Sequence, residues 1–202
     1  MNSRQRVLAS INHEEPDRVP IDLGGSIVSG IMAGALVRLR KHLGLDYKTV
    51  KVYDCFQVLG EVTMDLVEQF QLDLLPIEPE AISFDFLKRQ NYKPWTLFDG
   101  TEVLMPGNFQ VTIKEGGDWQ LHQDGDPTKK VIARMPKYGY YFDSIETTAW
   151  NPDYKPPSIE SLKNANWRRL DDETLIYLQR NALNLRKSTD KALVLTNWGN
   201  AI

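Results

Sequence analysis

Apolar positions recur at three- and four-residue spacing in several stretches of the chain, and each stretch predicts a helix. Ser3 to His13 reads as a short amphipathic helix with Ser3 as its cap and Val7, Leu8 and Ile11 on one face. Pro16 stops it, and Arg18 to Leu23 (RVPIDL) reads as a short buried strand ending at Gly24-Gly25. Ile31, Ala35, Leu36, Leu39 and Leu43 mark a second helix, with Gly44 where a helix C-cap belongs. Val58, Leu59, Val62, Leu66 and Phe70 mark a third over Gln57–Gln71, and Leu72 to Pro79 (LDLLPIEP) follows as a buried strand. Strands alternating with helices imply parallel strands under crossover helices, and continuous apolar runs imply strands buried on both faces.

From about residue 83 to 143 the helical period disappears. Phe109, Val111 and Ile113, then Trp119 and Leu121, then Val131, Ala133 and Met135 alternate in steps of two, between turn signals at Asp99-Gly100, Gly116-Gly117 and Asp124-Gly125. This pattern predicts an antiparallel β-meander of roughly four strands inserted into the α/β pattern. Trp150 to Ser158 is a proline-rich connector. A helix is then expected from Asp171 to Ser188, capped by Asp171 or Asp172, with Leu175, Leu178, Ala182 and Leu185 inward. Lys191 to Gly199 reads as a last buried strand. With the sequence ending just beyond it, residues 1–202 read as the N-terminal part of a larger α/β domain.

Composition narrows the partners. The net charge of -3 and pI near 5.7 offer no basic field for a nucleic-acid backbone or an anionic membrane. The longest apolar runs, such as Ala192–Leu195, are too short to span a bilayer, and MNSRQRVLAS lacks the apolar core of a secretion signal. A single cysteine, Cys55, excludes an internal disulfide and suits a reducing, cytoplasmic setting.

Several residues are candidates for chemistry. Gly24-Gly25 either turns a corner or leaves room for a ligand at a strand end, beside Ser26. GGSIVSG is not a dinucleotide fingerprint. Asp22, inside an apolar run, needs a partner, either Arg18 or another buried cation, or else has a functional role. Glu78 and Glu80 stand at the carboxyl end of the next strand, where α/β folds place ligands, and Asn197 and Trp198 close the last strand on the same rim. Asp54 reads as a helix cap. His13, His42 and His122 are scattered and Cys55 has no partner at ligand spacing, so no metal site is expected within this chain.

The stretch SRQRVLASINHEEPDRVPIDLGG resembles the opening of uroporphyrinogen decarboxylase-like proteins, in particular the branch that includes corrinoid-dependent methyltransferases. VKVYDCFQVLGEV, DLVEQFQLDLLPI and ALVLTNWGN continue the likeness. The resemblance implies a (β/α)8 TIM barrel, of which 1–202 would be the N-terminal half with residues 83–143 as the inserted meander, and a site at the strands' carboxyl ends. It implies a methyl group moved between a corrinoid (methylcobalamin) on a partner protein and a small methyl acceptor or donor, with zinc possible only from a C-terminal half. Glu80 and Asp22 would then be the catalytic carboxylates. Gly24, Gly25, Ser26, Glu78, Asn197 and Trp198 would line the substrate side. The family's decarboxylases carry two arginines just after the first strand, and those positions are here about Gly25 and Ser29. This departure ranks uroporphyrinogen-type decarboxylation second. A third expectation is a non-catalytic half-barrel that self-associates or pairs with a second chain along its open strands.

Overall fold

The structure, a computed structural model, describes residues 1–80, 87, 89–145, 155–156, 158–164 and 171–195. Helix α1 (Ser3–Ile11) is capped one residue earlier than expected. The Asn2 side chain accepts the Gln5 N–H (2.9 Å) and the Gln5 side chain accepts the Asn2 N–H (3.0 Å), which closes a capping box. Its buried face is Ser3, Arg6, Val7 and Ala9, whereas Leu8 and Ile11 are exposed. Polar contacts therefore dock this helix more than apolar ones do. The Arg4 N–H donates to the Asp190 carbonyl (2.9 Å) and its guanidinium to the Thr189 carbonyl (3.0 Å), 185 residues away. Arg6 bonds both Asp17 and Asp73.

The run Arg18–Leu23 forms no strand. Val19 and Ile21 are exposed, and the segment is tied down by Asp73, whose carboxylate accepts from Arg18 (2.7 and 3.1 Å) and from the Ile21 N–H (2.9 Å). This stretch is thus anchored to a buried anion instead of to a sheet. Asp73 is fully buried, and Arg6 and Arg18 both neutralise it. Burial would raise its carboxyl, but the Ile21 N–H and the Arg18, Ser3 and Arg6 side chains outweigh that and hold it below the usual range.

A short strand β1 (Ile31–Met32) runs into α2 (Ala33–His42), which buries Ala33, Leu36 and Arg40. Its end is a Schellman motif: the Gly44 N–H reaches the Lys41 carbonyl, and the Leu45 N–H reaches that of Arg40. The third helix is much shorter than its pattern. After β2 (Val52–Asp54) the chain turns at Val58, with φ 53°, and returns as β3 (Leu59–Gly60), so only α3 (Met64–Gln69) is helical. Gly60 lies against Leu36 and Ala33, so the expected apolar face is spent on packing a strand under α2. Arg40 fastens α3 to α2 through both oxygens of Asp65 (3.0 and 2.8 Å), and this pair draws the Asp65 carboxyl down to about 2.

β4 (Leu74–Pro76) is followed by a hairpin of β5 (Lys93–Thr96) and β6 (Glu102–Met105), then by β7 (Thr112–Ile113), β8 (Trp119–His122), β9 (Val131–Met135) and β10 (Asp143–Ser144). The last four form one antiparallel sheet in the order β10-β9-β8-β7, which is the expected meander. Trp119, Leu121, Ala133 and Met135 face inward, as their spacing predicts. Trp119 stacks on Phe98 (4.2 Å) and meets the edge of Trp95 (5.5 Å). His122 ties three parts of this sheet together: Nδ1–H donates to the Lys129 carbonyl (2.9 Å) and Nε2 meets the Thr112 hydroxyl (2.8 Å). The main core joins this meander to α2, β2 and β6, with Phe109, Phe142 and Leu87 fully buried.

α4 (Ile159–Asn164) and α5 (Asp172–Ser188) complete the helices, and β11 (Ala192–Val194) pairs in parallel with β4. Asp171 caps α5 by accepting the Thr174 N–H (2.7 Å), as expected. Leu178 is buried, but Leu175 is exposed.

The expected TIM-barrel half does not form. Among the described residues about eleven strands fall into four small separate sheets, with five helices and no closed barrel. Among the described residues only β4 and β11 make a parallel ladder; β1, β2 and β3 pair antiparallel. A barrel needs consecutive parallel strands, each carried back by a helix. Here the first candidate strand is held open by Asp73, and the second crossover helix gives way to the β2–β3 hairpin. No helix among the described residues is long and apolar enough to cross a membrane.

Candidate functional site

The parallel pair sets the site. The Ile77 N–H continues the ladder to the Val194 carbonyl (2.8 Å), so Glu78 leaves at the carboxyl end of β4. Glu78 is two-thirds buried and forms an ion pair with Arg89, whose N–H also donates to the Glu80 carbonyl (3.3 Å). The Arg89 guanidinium lies over the Tyr53 ring, 5.5 Å from its centre, and its Nε is buried without a hydrogen-bond partner. Tyr53, from β2, is 5% exposed, and its hydroxyl donates to the Ser26 carbonyl (3.1 Å).

Ser26 belongs to a tight loop. The Gly24 N–H closes it on the Ser29 carbonyl (2.9 Å), and the Ser26 and Ser29 hydroxyls meet at 3.2 Å. Gly24 has φ +77°, and a Cβ there would lie 2.6 Å from Val62 Cγ2, so only glycine fits. Beside it, Gly25 donates its N–H to Asp22 Oδ1 (2.9 Å) and lies against the Leu74 side chain. The space over both glycines is filled by the protein's own Val62, Asp22 and Leu74.

Charges in this cluster bias one another. Burial raises the Glu78 carboxyl, the Arg89 cation opposes the shift, and Glu61 adds to it. Burial also pushes the Tyr53 phenol well up, reinforced by Asp54 and Glu78. The Cys55 thiol, fully buried beside Asp54, is pushed up by burial and so stays a protonated, unreactive thiol. Asp54 is 2% exposed and accepts the Gln57 N–H (2.8 Å), capping a turn rather than a helix.

Of the sequence candidates, Ser26 and Glu78 converge on Tyr53 and Arg89, with Gly24, Gly25 and Asp22 forming the loop that brings Ser26 there. Asp22 is exposed and engaged with Gly25, and its partner is not Arg18, which Asp73 takes. Glu80 is exposed at the rim. Asn197 and Trp198 lie outside the described residues. Tyr53 and Arg89 were missed: Tyr53 lay in a stretch read for its Asp54 cap, and Arg89 in one without periodic signal.

Among the described residues no three His, Cys, Asp or Glu side chains come together as a group that could hold a metal ion. What the cluster offers is a two-thirds-buried carboxylate, a partly buried cation and a buried phenol beside the Gly24–Ser29 loop. It has no hydroxyl or thiol activated by an adjacent base. Compared with family models, curated proteins and solved structures, the chain matches none.

Proposed function

We propose that the chain serves methyl transfer between a corrinoid carried by a partner protein and a small acceptor, in the manner of the uroporphyrinogen decarboxylase-like branch its N-terminal stretch resembles. One observation carries this reading over decarboxylation: no cation stands in the Gly24–Ser29 loop, and the single arginine at the site, Arg89, is paired with Glu78. With one arginine rather than two among the described residues of the site, a substrate with many carboxylates would be poorly neutralised, whereas a small acceptor needs only orientation. The corrinoid, when bound, supplies or takes the methyl group. The residues of this chain would do the rest: Arg89 and Tyr53 orient the small molecule, and Glu78 fixes Arg89. The lone, buried Cys55 agrees with a cytoplasmic setting.

The test is loss of the methyl group from methylcobalamin, followed by absorbance, with thiol and folate acceptors in turn. Acceleration that drops in Arg89→Gln supports the reading. No transfer to any of these acceptors counts against it, and turnover of uroporphyrinogen III would overturn it.

A separate observation favours association as a second reading. Leu175, Ile176 and Leu183 of α5 and Leu195 beyond β11 are all about half or more exposed, next to a parallel pair with open edges. A self-associating or partnered chain would elute above 23.2 kDa in size-exclusion chromatography with light scattering; a monomer rejects this reading.

A further inference from the structure

A second site, independent of the Tyr53–Arg89 cluster, opens between the start of α2 and the meander. Its walls are apolar: Met32, Val58, Leu97, Phe98, Trp119 and Met135. Its cavity volume is about 60 Å³. At roughly 10–15 Å³ for each water-sized occupant, that is room for about four to six non-hydrogen atoms. Two methionines make the walls adaptable, and the stacked Phe98 and Trp119 rings make one of them flat.

The mouth is polar in a specific way. Arg38 Nη1 donates to Asp99 Oδ2 (3.2 Å), and the pair lies over the first turn of α2. A Cβ on Gly34 would be 3.3 Å from Asp99 Oδ2 and 3.6 Å from Arg38 Nη1. Asp99 is held in place by its turn: Oδ1 accepts the Thr101 N–H (3.0 Å), and the Gly100 N–H closes on the Leu97 carbonyl (2.9 Å). Arg38 uses one nitrogen on Asp99, which leaves guanidinium donors for another acceptor. Met32 gives α2 no side-chain cap, so the partial positive charge of the helix start also faces this mouth. The exposed Tyr140 ring stands beside it.

A cation and an anion side by side over a small apolar cavity match both ends of a zwitterion. We propose that this pocket binds a free α-amino acid whose apolar side chain has about four heavy atoms, such as leucine or methionine. The side chain fills the cavity between Trp119 and Met135. The α-carboxylate is held by Arg38 at the start of α2, and the α-ammonium by Asp99 Oδ2. A monoanion or a monocation of the same shape satisfies only one side of the mouth and leaves the other charge of the Arg38–Asp99 pair to be desolvated unmatched.

The test uses the 202-residue chain, amide NMR shifts at Gly34, Leu97 and Tyr140, and calorimetry. Leucine and methionine are expected to shift these amides, while alanine, 4-methylpentanoate, isopentylamine and N-acetyl-leucine amide bind at least about tenfold more weakly. Arg38→Gln and Asp99→Asn are each expected to weaken leucine at least about tenfold. Arg38 is largely exposed, and an asparagine at 99 still accepts the Thr101 N–H, so both variants keep the fold. No shift at these amides with leucine or methionine at about 10 mM overturns the proposal. So does equal binding of N-acetyl-leucine amide, or leucine binding unchanged in both variants.

Discussion

Replacing Asp73 by asparagine keeps the side chain's shape and removes its charge. In the native chain that carboxylate is completely buried and accepts from Arg6 (2.6 Å), Arg18 (2.7 Å) and the Ile21 N–H (2.9 Å). Removing one partner of a buried ion pair costs about 3–5 kcal/mol, because the remaining charge is left uncompensated. Two features place this case at the lower end: Arg18 is one-third exposed, and Arg6 keeps its pair with Asp17. The expected loss is therefore ~3 kcal/mol, a large part of a domain's ~5–15 kcal/mol. With a urea slope of about 2 kcal/mol per molar, the unfolding midpoint should fall by roughly 1.5 M. The pH dependence carries a sign. The Asp73 carboxyl lies lower in the folded chain than in the unfolded one, so its stabilisation is complete above the unfolded value of about 3.9 and is lost as pH falls through the folded value. Wild type should lose stability below about pH 4, and Asp73→Asn should lack that part of the acid limb. A loss under ~1 kcal/mol, the range of an exposed pair, with an unchanged acid limb would refute the buried-anchor argument.

Gly24→Ala must take a positive φ and overlap Val62, for an expected ~2–4 kcal/mol, whereas Gly44→Ala has open space and should cost only ~1–2 kcal/mol. Urea unfolding showing equal losses would contradict this, as would a failure of Val62→Ala to restore part of the Gly24→Ala loss. Carbon-detected NMR titration should find the Glu78 midpoint above the usual ~4.3, and Arg89→Gln should move it higher still, because Arg89 opposes the effect of burial. A midpoint at or below the usual value removes the case for a buried carboxylate at the site. Phe109→Ala, at a fully buried core position, should cost ~3–5 kcal/mol in the same unfolding assay.

Periodicity found the elements whose residues answer to a single neighbouring surface. The α2 helix with its Gly44 end and the meander through Trp119, Leu121, Ala133 and Met135 follow their patterns, and α5 keeps its Asp171 cap and buried Leu178 but leaves Leu175 exposed. It failed where tertiary partners override local spacing. Leu8 and Ile11 look inward but are exposed, because Arg6 and Ser3 turn the polar side of α1 onto Asp73. Val58 and Leu59 look helical, but a turn at Val58 sends Leu59 and Gly60 back as a strand under α2. RVPIDL looks like a strand, but Ile21 turns both its backbone groups to one residue: its carbonyl accepts the Asp73 N–H, and its N–H goes to the Asp73 carboxylate, 52 residues away, instead of extending a ladder. At the site, Ser26 and Glu78 were visible as polar residues at the edges of apolar runs. Tyr53 and Arg89 were not, since what marks them is a ring and a guanidinium stacked across 36 positions, a pairing without a local period.

The pairing of β4 with β11 also sets a clock. Roughly 120 residues separate the two strands, and ribosomes add about 5–20 residues per second. Newly made β4 therefore waits some 6–24 s on the ribosome before β11, its one ladder partner among the described residues, exists. For that interval Leu72 and Leu75 can be covered by α3 and Leu23, but the strand's hydrogen-bonding edge cannot. A nascent chain stalled between Met135 and Ser188 should therefore be the form that chaperones hold longest.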